Sequence, residues 1–537
     1  MVNAALKSAF DQLHGTRRIG GRLRSLHIRD LPAAPIASRF GWLDADRPLV
    51  ERGELVLPAH AVTLRLMHVI PTPHAGPPVV EEPKLLRSIG PAQLIFYGTG
   101  SMLGAGIYAL IGQAAGMLGN AIWIAFLVSM LAAMLTGLSY ANLGSRYPRA
   151  AGAAYATHRA FRRNWLTYLV GLAVVASGLT SMATGSRAVA IELGKFGFVQ
   201  QLDGWLQGVG LAARPELLAI GFLLVVAGVV FRGIRESMWL NILSTIIEAS
   251  GLLFVLFVGV RYWGNADLLQ GPTRADGSVA PLGFSIILSG TVLTFYSFIG
   301  FEDVLNVAEE CRKPETTIPI GLVGSMLITT AIYMAIAVTA VSVVPSAELA
   351  RGNLRDVVRV AAPWFPSWLF SVITIFAVAN TALLNFIMGS RLVYGMSRAG
   401  MLPSPLGRVH AKRRTPHLSI LSLLVIVIVL MLSGKIDQLA SATVLLLLLV
   451  FCIVNGALIV LKFRRHEPRG KFEVPAIVPM LGVLVCLTLL LSRLLARDKE
   501  GHINYTAPLI AGALVVGILV LYAVLRPQHV AEDETRN

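Results

Sequence analysis

Three carboxylates lie inside long apolar stretches of the chain, where an isolated charge is unfavourable. Glu248 stands in the middle of one such stretch, and Glu302 and Asp303 stand together in another. A carboxylate in an apolar medium is tolerated when it is paired, protonated or bound to a cation. Desolvation favours the protonated form, so that Glu248 is a candidate proton carrier. Two alternatives stay open for it: a cation site shared with oxygens such as that of Thr381, and a protonated carboxyl group hydrogen-bonded between helices.

Two glycine-containing motifs offer backbone groups for binding. Residues 98–106 read GTGSMLGAG, with four glycines in nine positions, and residues 296–303 read YSFIGFED around Gly300. Glycine makes an unwound turn accessible, and inside a bilayer the freed N–H and C=O groups are tolerated only around a polar cavity. Close helix packing is the alternative for either motif alone. Because the motifs fall in the first and sixth apolar segments, five apart, together they predict two broken helices around one site.

Side chains for enzymatic or metal chemistry are missing from the predicted membrane depth. Of the eleven histidines, His417 is the first residue of a predicted helix, and the others fall in the first 88 residues or in predicted loops or tails. No HExxH or DDxxD motif is present at membrane depth. The chain is therefore not expected to be an enzyme. Cys311, Cys452 and Cys486 are far apart and form no CxxC motif, which predicts neither a disulfide framework nor a metal site. No cofactor is expected.

The composition identifies the elements that must position these groups. Of 537 residues, 55% are hydrophobic and only 14% charged, against ~25% charged in a typical soluble domain, and the mean hydropathy is +0.68. Segments of this length and apolarity are expected to be membrane helices, so that the predicted fold is an all-α polytopic membrane protein. About twelve helices are predicted, at residues 91–115, 120–143, 166–188, 217–231, 238–260, 283–308, 319–344, 367–390, 417–433, 438–461, 474–495 and 506–525.

Loop charges predict the orientation and the domains. With a cytoplasmic N-terminus, the inner loops carry 20 Lys and Arg residues against 12 in the outer loops, which places both termini in the cytoplasm. The net charge of +16 is attributed to these loops and not to nucleic-acid binding. Residues 1–88 are expected to be a flexible cytoplasmic tail, a basic segment on an anionic membrane surface or an extension preceding a true start at Met67. Residues 89–465 form the predicted core, 466–526 two added helices and 527–537 a cytoplasmic tail.

Several motifs carry a family resemblance. Gly100–Tyr108 (GSMLGAGIY) resembles the GxGxxIGxGIF signature of amino-acid permeases, and Leu138–Gly152 (LSYANLGSRYPRAAG) their LSYAELASRYPRAGG loop. Phe298–Glu302 (FIGFE) with Ala308–Pro314 (AEECRKP), and Ser390–Pro403 (SRLVYGMSRAGMLP), resemble two further family motifs. The resemblance is to the amino acid–polyamine–organocation (APC) superfamily, and within it to bacterial permeases related to cationic amino-acid transporters. It implies a LeuT-type 5+5 inverted repeat with broken helices 1 and 6, in a monomer or homodimer of the bacterial cytoplasmic (inner) membrane.

The resemblance also implies the site. The backbone at four positions of the first break is expected to bind the substrate's α-carboxylate: Leu103, Gly104, Ala105 and Gly106. Carbonyls at the second break are expected to bind its α-ammonium group: Tyr296, Ser297 and Ile299. The expected coupling or gating residues are Glu248, Glu302, Tyr296 and Thr381. Capping of the second half of helix 6 is the alternative for Glu302, and polar side chains such as Asn380 are expected to support the site from behind.

Glu248 departs from the pattern of the family that the chain resembles, in which proton-coupled members commonly have a lysine at this position. The lysine mechanism therefore does not carry over directly. With acidic groups and no Lys or Arg at membrane depth, neutral or cationic substrates are favoured over dicarboxylates. The expected function is secondary active transport of an amino acid or related amine by alternating access, with protons favoured over sodium as the coupling ion. A non-transporting amino-acid sensor and an exchanger without proton coupling are the alternatives.

Overall fold

The computed structural model describes residues 89–148, 152–201, 215–273, 278–398, 400–495 and 505–527. The tail predicted at residues 1–88 and nearly all of the C-terminal tail lie outside these residues. The described chain is helical and contains isolated β-bridges but no strand. Its α-helices are α1 (Pro91–Met102), α2 (Ala105–Leu118), α3 (Ile122–Arg146), α4 (Gly152–Phe161), α5 (Asn164–Leu193), α6 (Pro215–Arg232), α7 (Ile234–Gly259), α8 (Phe284–Phe295), α9 (Pro314–Val343), α10 (Ser346–Leu349), α11 (Leu354–Ala361), α12 (Ser367–Arg398), α13 (His417–Ser433), α14 (Ile436–Phe463), α15 (Ile477–Leu494) and α16 (Thr506–Leu525).

Ten helical stretches in the described ranges are long and apolar enough to cross a membrane. One of them, residues 106–146, has 41 residues, which is about 60 Å if straight and twice the hydrocarbon thickness. It is divided by a short 3-10 turn at Gly119–Ala121, where Gly119 has φ +65°. It therefore contains the predicted segment 120–143 and the end of the predicted segment 91–115, which begins with α1. The 17-residue α13 accounts for a further predicted segment. Every predicted segment falls on a helix, and the predicted all-α polytopic membrane fold is confirmed.

Burial separates central from peripheral helices. In the most apolar 18-residue stretch of α5, 83% of the residues are buried, whereas only 11% are buried in the corresponding stretch of α16. Helix α5 packs against α12 and α14, and α3 packs against α9, which also contacts α1. Large apolar side chains on the outer surface, such as Phe257 and Val524, are more than 70% exposed. Such a surface suits lipid contact and would be unfavourable in water.

Contacts between loops define two ends of the helix bundle. At the near end, Ile89 exchanges backbone hydrogen bonds with Glu310 and Arg312, and Ser145 donates to the carbonyl of Glu315. At the far end, Asn120 contacts Asp267 and Gln270. The near end thus holds the start of α1 and of α9, and the far end holds the turn between α2 and α3.

Candidate functional site

The first helix break is formed by Leu103 and Gly104, between α1 and α2. Gly104 has φ +129° and ψ −133°, a conformation that L-residues rarely adopt. A methyl group at this position would collide with the hydroxyl group of Thr381. The N–H of Leu103 already donates to the carbonyl of Thr99 at 2.9 Å. The first amides of α2, beginning at Gly104, are those that a helix leaves without intrahelical partners.

The second break follows α8. A 3-10 turn, Tyr296–Phe298, leads through Ile299 to Gly300, which has φ +118°, and a 3-10 helix then runs from Phe301 to Glu310. The Oε2 atom of Glu302 accepts the N–H of Gly300 at 2.9 Å. Glu302 therefore occupies the capping position that was its alternative interpretation, and its coupling role stays a prediction.

The two breaks lie against each other. A Cβ on Gly106 would lie 2.5 Å from Cα of Ser297, and a Cβ on Gly300 would lie 2.5 Å from the carbonyl oxygen of Ser101. The hydroxyl of Ser101 donates to Oδ2 of Asp303 at 2.8 Å. Glycine at both positions thus lets the backbones approach closely, and the freed backbone groups of both helices gather in one region.

Tyr333 on α9 bridges both breaks and was not anticipated from the sequence. Its hydroxyl group lies 2.5 Å from the carbonyl oxygen of Met102 and 3.0 Å from that of Ser297, and its single proton is shared between these two acceptors. Its ring packs edge-on against Phe298, with the ring centroids 5.5 Å apart. The sequence signal was a single tyrosine in the middle of a largely apolar helix, which is also what ordinary packing would produce.

Glu248 is fully buried and lies beside the first break. Its Oε1 accepts a hydrogen bond from Nδ2 of Asn380 at 3.3 Å. Its Oε2 has no hydrogen-bond partner among the described residues. That atom lies 3.8 Å from where a Cβ on Gly104 would stand, and the Thr381 hydroxyl borders the same point. The structure therefore brings Gly104, Glu248 and Thr381 together at the start of α2.

A series of side-chain hydrogen bonds through Asn380 fixes the position of the Glu248 carboxyl group. Nδ2 of Asn380 also donates to Oγ1 of Thr245 at 3.0 Å, and its Oδ1 accepts from Nδ2 of Asn241 at 2.6 Å. The hydroxyl of Tyr108 on α2 donates to the backbone carbonyl of Glu248 at 2.5 Å. Asn380 thus joins Glu248 to Thr245 and Asn241, and its supporting role at a substrate site stays a prediction.

Tyr296, the predicted gate, is buried. Its hydroxyl oxygen lies 2.9 Å from Oγ of Ser181 on α5, which also accepts a hydrogen bond from Asn385. The neighbouring aromatic residues Phe295 and Phe301 pack on Phe451 instead. Tyr296 thus joins the second break to α5, and its gating role stays a prediction.

Glu473 lies at the near end, outside the membrane-spanning segments, and ties the loop between α14 and α15 to α3. Glu473 pairs with Arg146 at 2.5 Å and with Lys462 at 2.8 Å, and it accepts the N–H of Gly470. Burial opposes ionisation of Glu473, but the hydrogen bonds from these groups outweigh it and lower its pKa to about 2. This loop is therefore held to α3 by an ionised carboxylate.

Comparison with known proteins assigns these features to one family. Residues 89–521, more than half of the chain, match the family described as Amino acid permease. The chain is 30% identical over 398 residues to Cationic amino acid transporter 4 of Mus musculus, covering 72% of this chain and 61% of that protein. It is 28% identical over 432 residues to Branched-chain amino acid permease BcaP of Bacillus subtilis (strain 168), covering 76% and 89%.

A third relative has a different kind of substrate in its name. The chain is 26% identical over 427 residues to the Methylthioribose transporter of Bacillus subtilis (strain 168), covering 75% of this chain and 87% of that protein. The chain spans about three fifths of the mouse transporter's length, whereas it spans most of both bacterial proteins.

Proposed function

The chain belongs to the amino acid permease family, a family of transporters and not of enzymes, and from this premise we propose that it carries an amino acid or a related amine in symport with protons. It is an integral membrane protein. The proposed cycle is alternating access, in which the two broken helices hold the substrate between them while the site opens to one side or the other. The substrate's α-carboxylate binds the amides of Gly104, Ala105 and Gly106 at the start of α2, and Leu103 lines the turn before them.

Carbonyl groups of the second break are the partners proposed for the substrate's α-ammonium group: Tyr296, Ser297 and Ile299. The Cα atom and the side chain of Ser297 lie against Gly106, so that the proposed ammonium subsite on the second break adjoins the proposed carboxylate subsite at the start of α2. Tyr296 is proposed to gate this space from the side of α5. Glu302, on the N–H of Gly300, is proposed to respond to movement of this break.

The observation that carries proton coupling is the free Oε2 of Glu248 beside Gly104. A substrate carboxylate on the amides of α2 would lie within a few ångströms of this oxygen. Two unit charges 4 Å apart repel by about 4 kcal/mol at an effective dielectric constant of ~20, or roughly a thousandfold in binding. Protonation of Glu248 removes this repulsion, so that proton and substrate bind together. The hydroxyl group of Thr381, which borders Gly104, is proposed to form a hydrogen bond with the substrate's carboxylate or with Glu248.

Charges in the site support a substrate class, and charges in the loops support an orientation in the membrane. The site carries carboxyl groups and no Lys or Arg among the described residues that form it, which favours neutral or cationic substrates. The transporters of cationic and of branched-chain amino acids among the relatives support both choices. The Lys and Arg excess of the near-end loops supports a cytoplasmic near end with cytoplasmic termini, and the bacterial cytoplasmic membrane is the proposed location.

Uptake into proteoliposomes tests the proposal. A panel of labelled amino acids is offered to wild type and to Glu248→Gln, with and without an inward proton gradient, and with a sodium gradient in a separate arm. We expect the proton gradient to stimulate uptake by wild type and to have no effect on Glu248→Gln, because the amide cannot take up a proton. Glu192→Gln is the matched control. Glu192 is as buried as Glu248, but it is partnered by Lys195, Asn353 and Ser371, and its variant should keep the stimulation.

The alternatives predict different outcomes. Uptake that ignores the proton gradient in wild type would contradict symport and leave exchange or facilitated diffusion. Stimulation by the sodium gradient alone would make Glu248 part of a cation site. Binding of an amino acid without any flux would identify the protein as a sensor.

A further inference from the structure

A cavity at the far end of the bundle is separate from the helix breaks. It has a volume of about 310 Å³ and lies between α2, α5, the start of α6 and the start of α14. Gln113 contributes from α2, and it lies eight residues beyond Ala105, or about 12 Å along the helix. Cavities that hold small molecules begin at about 300 Å³, so that this one has room for a single amino acid.

Four charged side chains around the cavity form no ion pair with one another or with other described residues. Arg187, Glu216, Lys435 and Asp437 line it, and none of them forms an ion pair within 4.0 Å among the residues that the structure describes. The Oε1 atom of Gln113 is buried without a hydrogen-bond partner in the same described part of the chain. Buried polar atoms are nearly always satisfied in proteins, and a bound ligand would satisfy this one.

The arrangement of charges fits a zwitterion. Nε of Arg187 donates to the carbonyl of Met431 at 2.7 Å, which holds the guanidinium in place and leaves its remaining N–H groups for a carboxylate. Asp437 and Oε1 of Gln113 are acceptors suited to an ammonium group. Asp437 also interacts electrostatically with Arg493 of α15. Opposite charges on one cavity wall would attract a dicarboxylate or a diamine less than they attract a molecule that carries both charges.

We propose that this cavity is a second, outer binding site for the α-amino and α-carboxylate groups of an amino acid, with Arg187 as the carboxylate anchor and Asp437 as the ammonium anchor. The proposal rests on the proposed function, because it takes the transported amino acid as its ligand. Gln113 on the cavity wall lies about 12 Å along α2 from Ala105 at the first break.

Binding stoichiometry tests the outer site. The purified full chain in lipid nanodiscs is dialysed to equilibrium against tritiated leucine and, separately, tritiated arginine, while uptake of the same compounds is measured in proteoliposomes. We expect two bound molecules per wild-type chain and one per chain in Arg187→Gln and in Asp437→Asn at concentrations that saturate wild type. Loss of a charge-assisted contact weakens binding by at least about tenfold. Arg187→Lys should retain part of the second binding event.

Arg359→Gln is the matched control, because Arg359 is an exposed arginine on α11 that pairs with Asp356 and does not line the cavity. The Arg359→Gln variant should bind two amino-acid molecules per chain. Uptake by wild type with only one bound molecule would overturn the outer site and leave the proposed transport intact. Two molecules retained in both Arg187→Gln and Asp437→Asn would also overturn it. Absence of both binding and uptake for these amino acids would contradict the outer site and the proposed function together.

Discussion

Removing the hydroxyl group of Tyr333 tests whether one side chain holds the two helix breaks together. In Tyr333→Phe the ring keeps its packing against Phe298. The carbonyls of Met102 and Ser297 lose the donor that lies 2.5 and 3.0 Å from them. The substitution therefore isolates the hydrogen bonds from the burial of the side chain.

The magnitude follows from the burial of these groups. Tyr333 and Met102 are buried to within a few per cent, so that no water replaces the lost donor. A buried polar group left without a partner costs about 1–3 kcal/mol, and we expect the free energy of unfolding to fall by this amount. If the same loss falls on the substrate-bound state, KM rises by about 5- to 150-fold.

Tyr140→Phe is the matched control for this experiment. Tyr140 is as buried as Tyr333, but its hydroxyl has no hydrogen-bond partner among the described residues, so that its removal should be neutral or slightly stabilising. Denaturation in detergent gives the stability difference, and uptake in proteoliposomes gives KM. Equal unfolding free energies and equal KM values for the two variants would refute the bridging role.

Two further predictions concern the first break and the near end. Gly104→Ala should lower the free energy of unfolding by about 1–3 kcal/mol and abolish uptake, because φ of Gly104 is +129° and the added methyl group would meet Thr381. Gly395 has open space around it, so that Gly395→Ala is the control and should behave as wild type in the same thermal-unfolding and uptake assays. Glu473→Gln should lower the free energy of unfolding by about 1–2 kcal/mol at pH 7, a value reduced for the partial exposure of this side chain. Since the pKa of Glu473 in the folded state is lowered from 4.5 to about 2, its contribution to stability is complete above pH 4.5 and should vanish as the pH falls toward 2. A difference in unfolding free energy between wild type and variant that stays unchanged at the lowest pH would contradict this prediction.

The number and placement of the helices were predictable because a bilayer imposes their length. An apolar run of ~20 residues has few alternatives to a membrane helix, and each predicted run coincides with a helix in the structure. The breaks were predictable for a related reason. Gly104 and Gly300 adopt positive φ, and glycine is the residue that does so without strain.

The partners of the site residues were not predictable, because the rotation of each helix about its axis leaves little trace in the sequence. In a soluble protein the polar face of a helix points to water, but in a bilayer both the lipid-facing and the buried face are apolar. On α9, Tyr333 is fully buried and Leu327 is 52% exposed, and the apolar pattern does not distinguish their faces. The hydrogen bond from Asn380 to Glu248 and the far-end cavity depend on such rotations and required the structure.

The start of α2 gives Glu248 and the substrate a common partner in the proposed mechanism. The positive end of a helix dipole stabilises one nearby anion. When no substrate is bound and Glu248 is ionised, its carboxylate, whose Oε2 faces Gly104, takes that place. When a substrate carboxylate takes the amides of α2, it replaces Glu248 as the anion there, and Glu248 is stabilised by accepting a proton. Because linkage is reciprocal, protonation of Glu248 then favours the substrate by the same factor, and coupling needs no direct contact between Glu248 and the substrate's ammonium group.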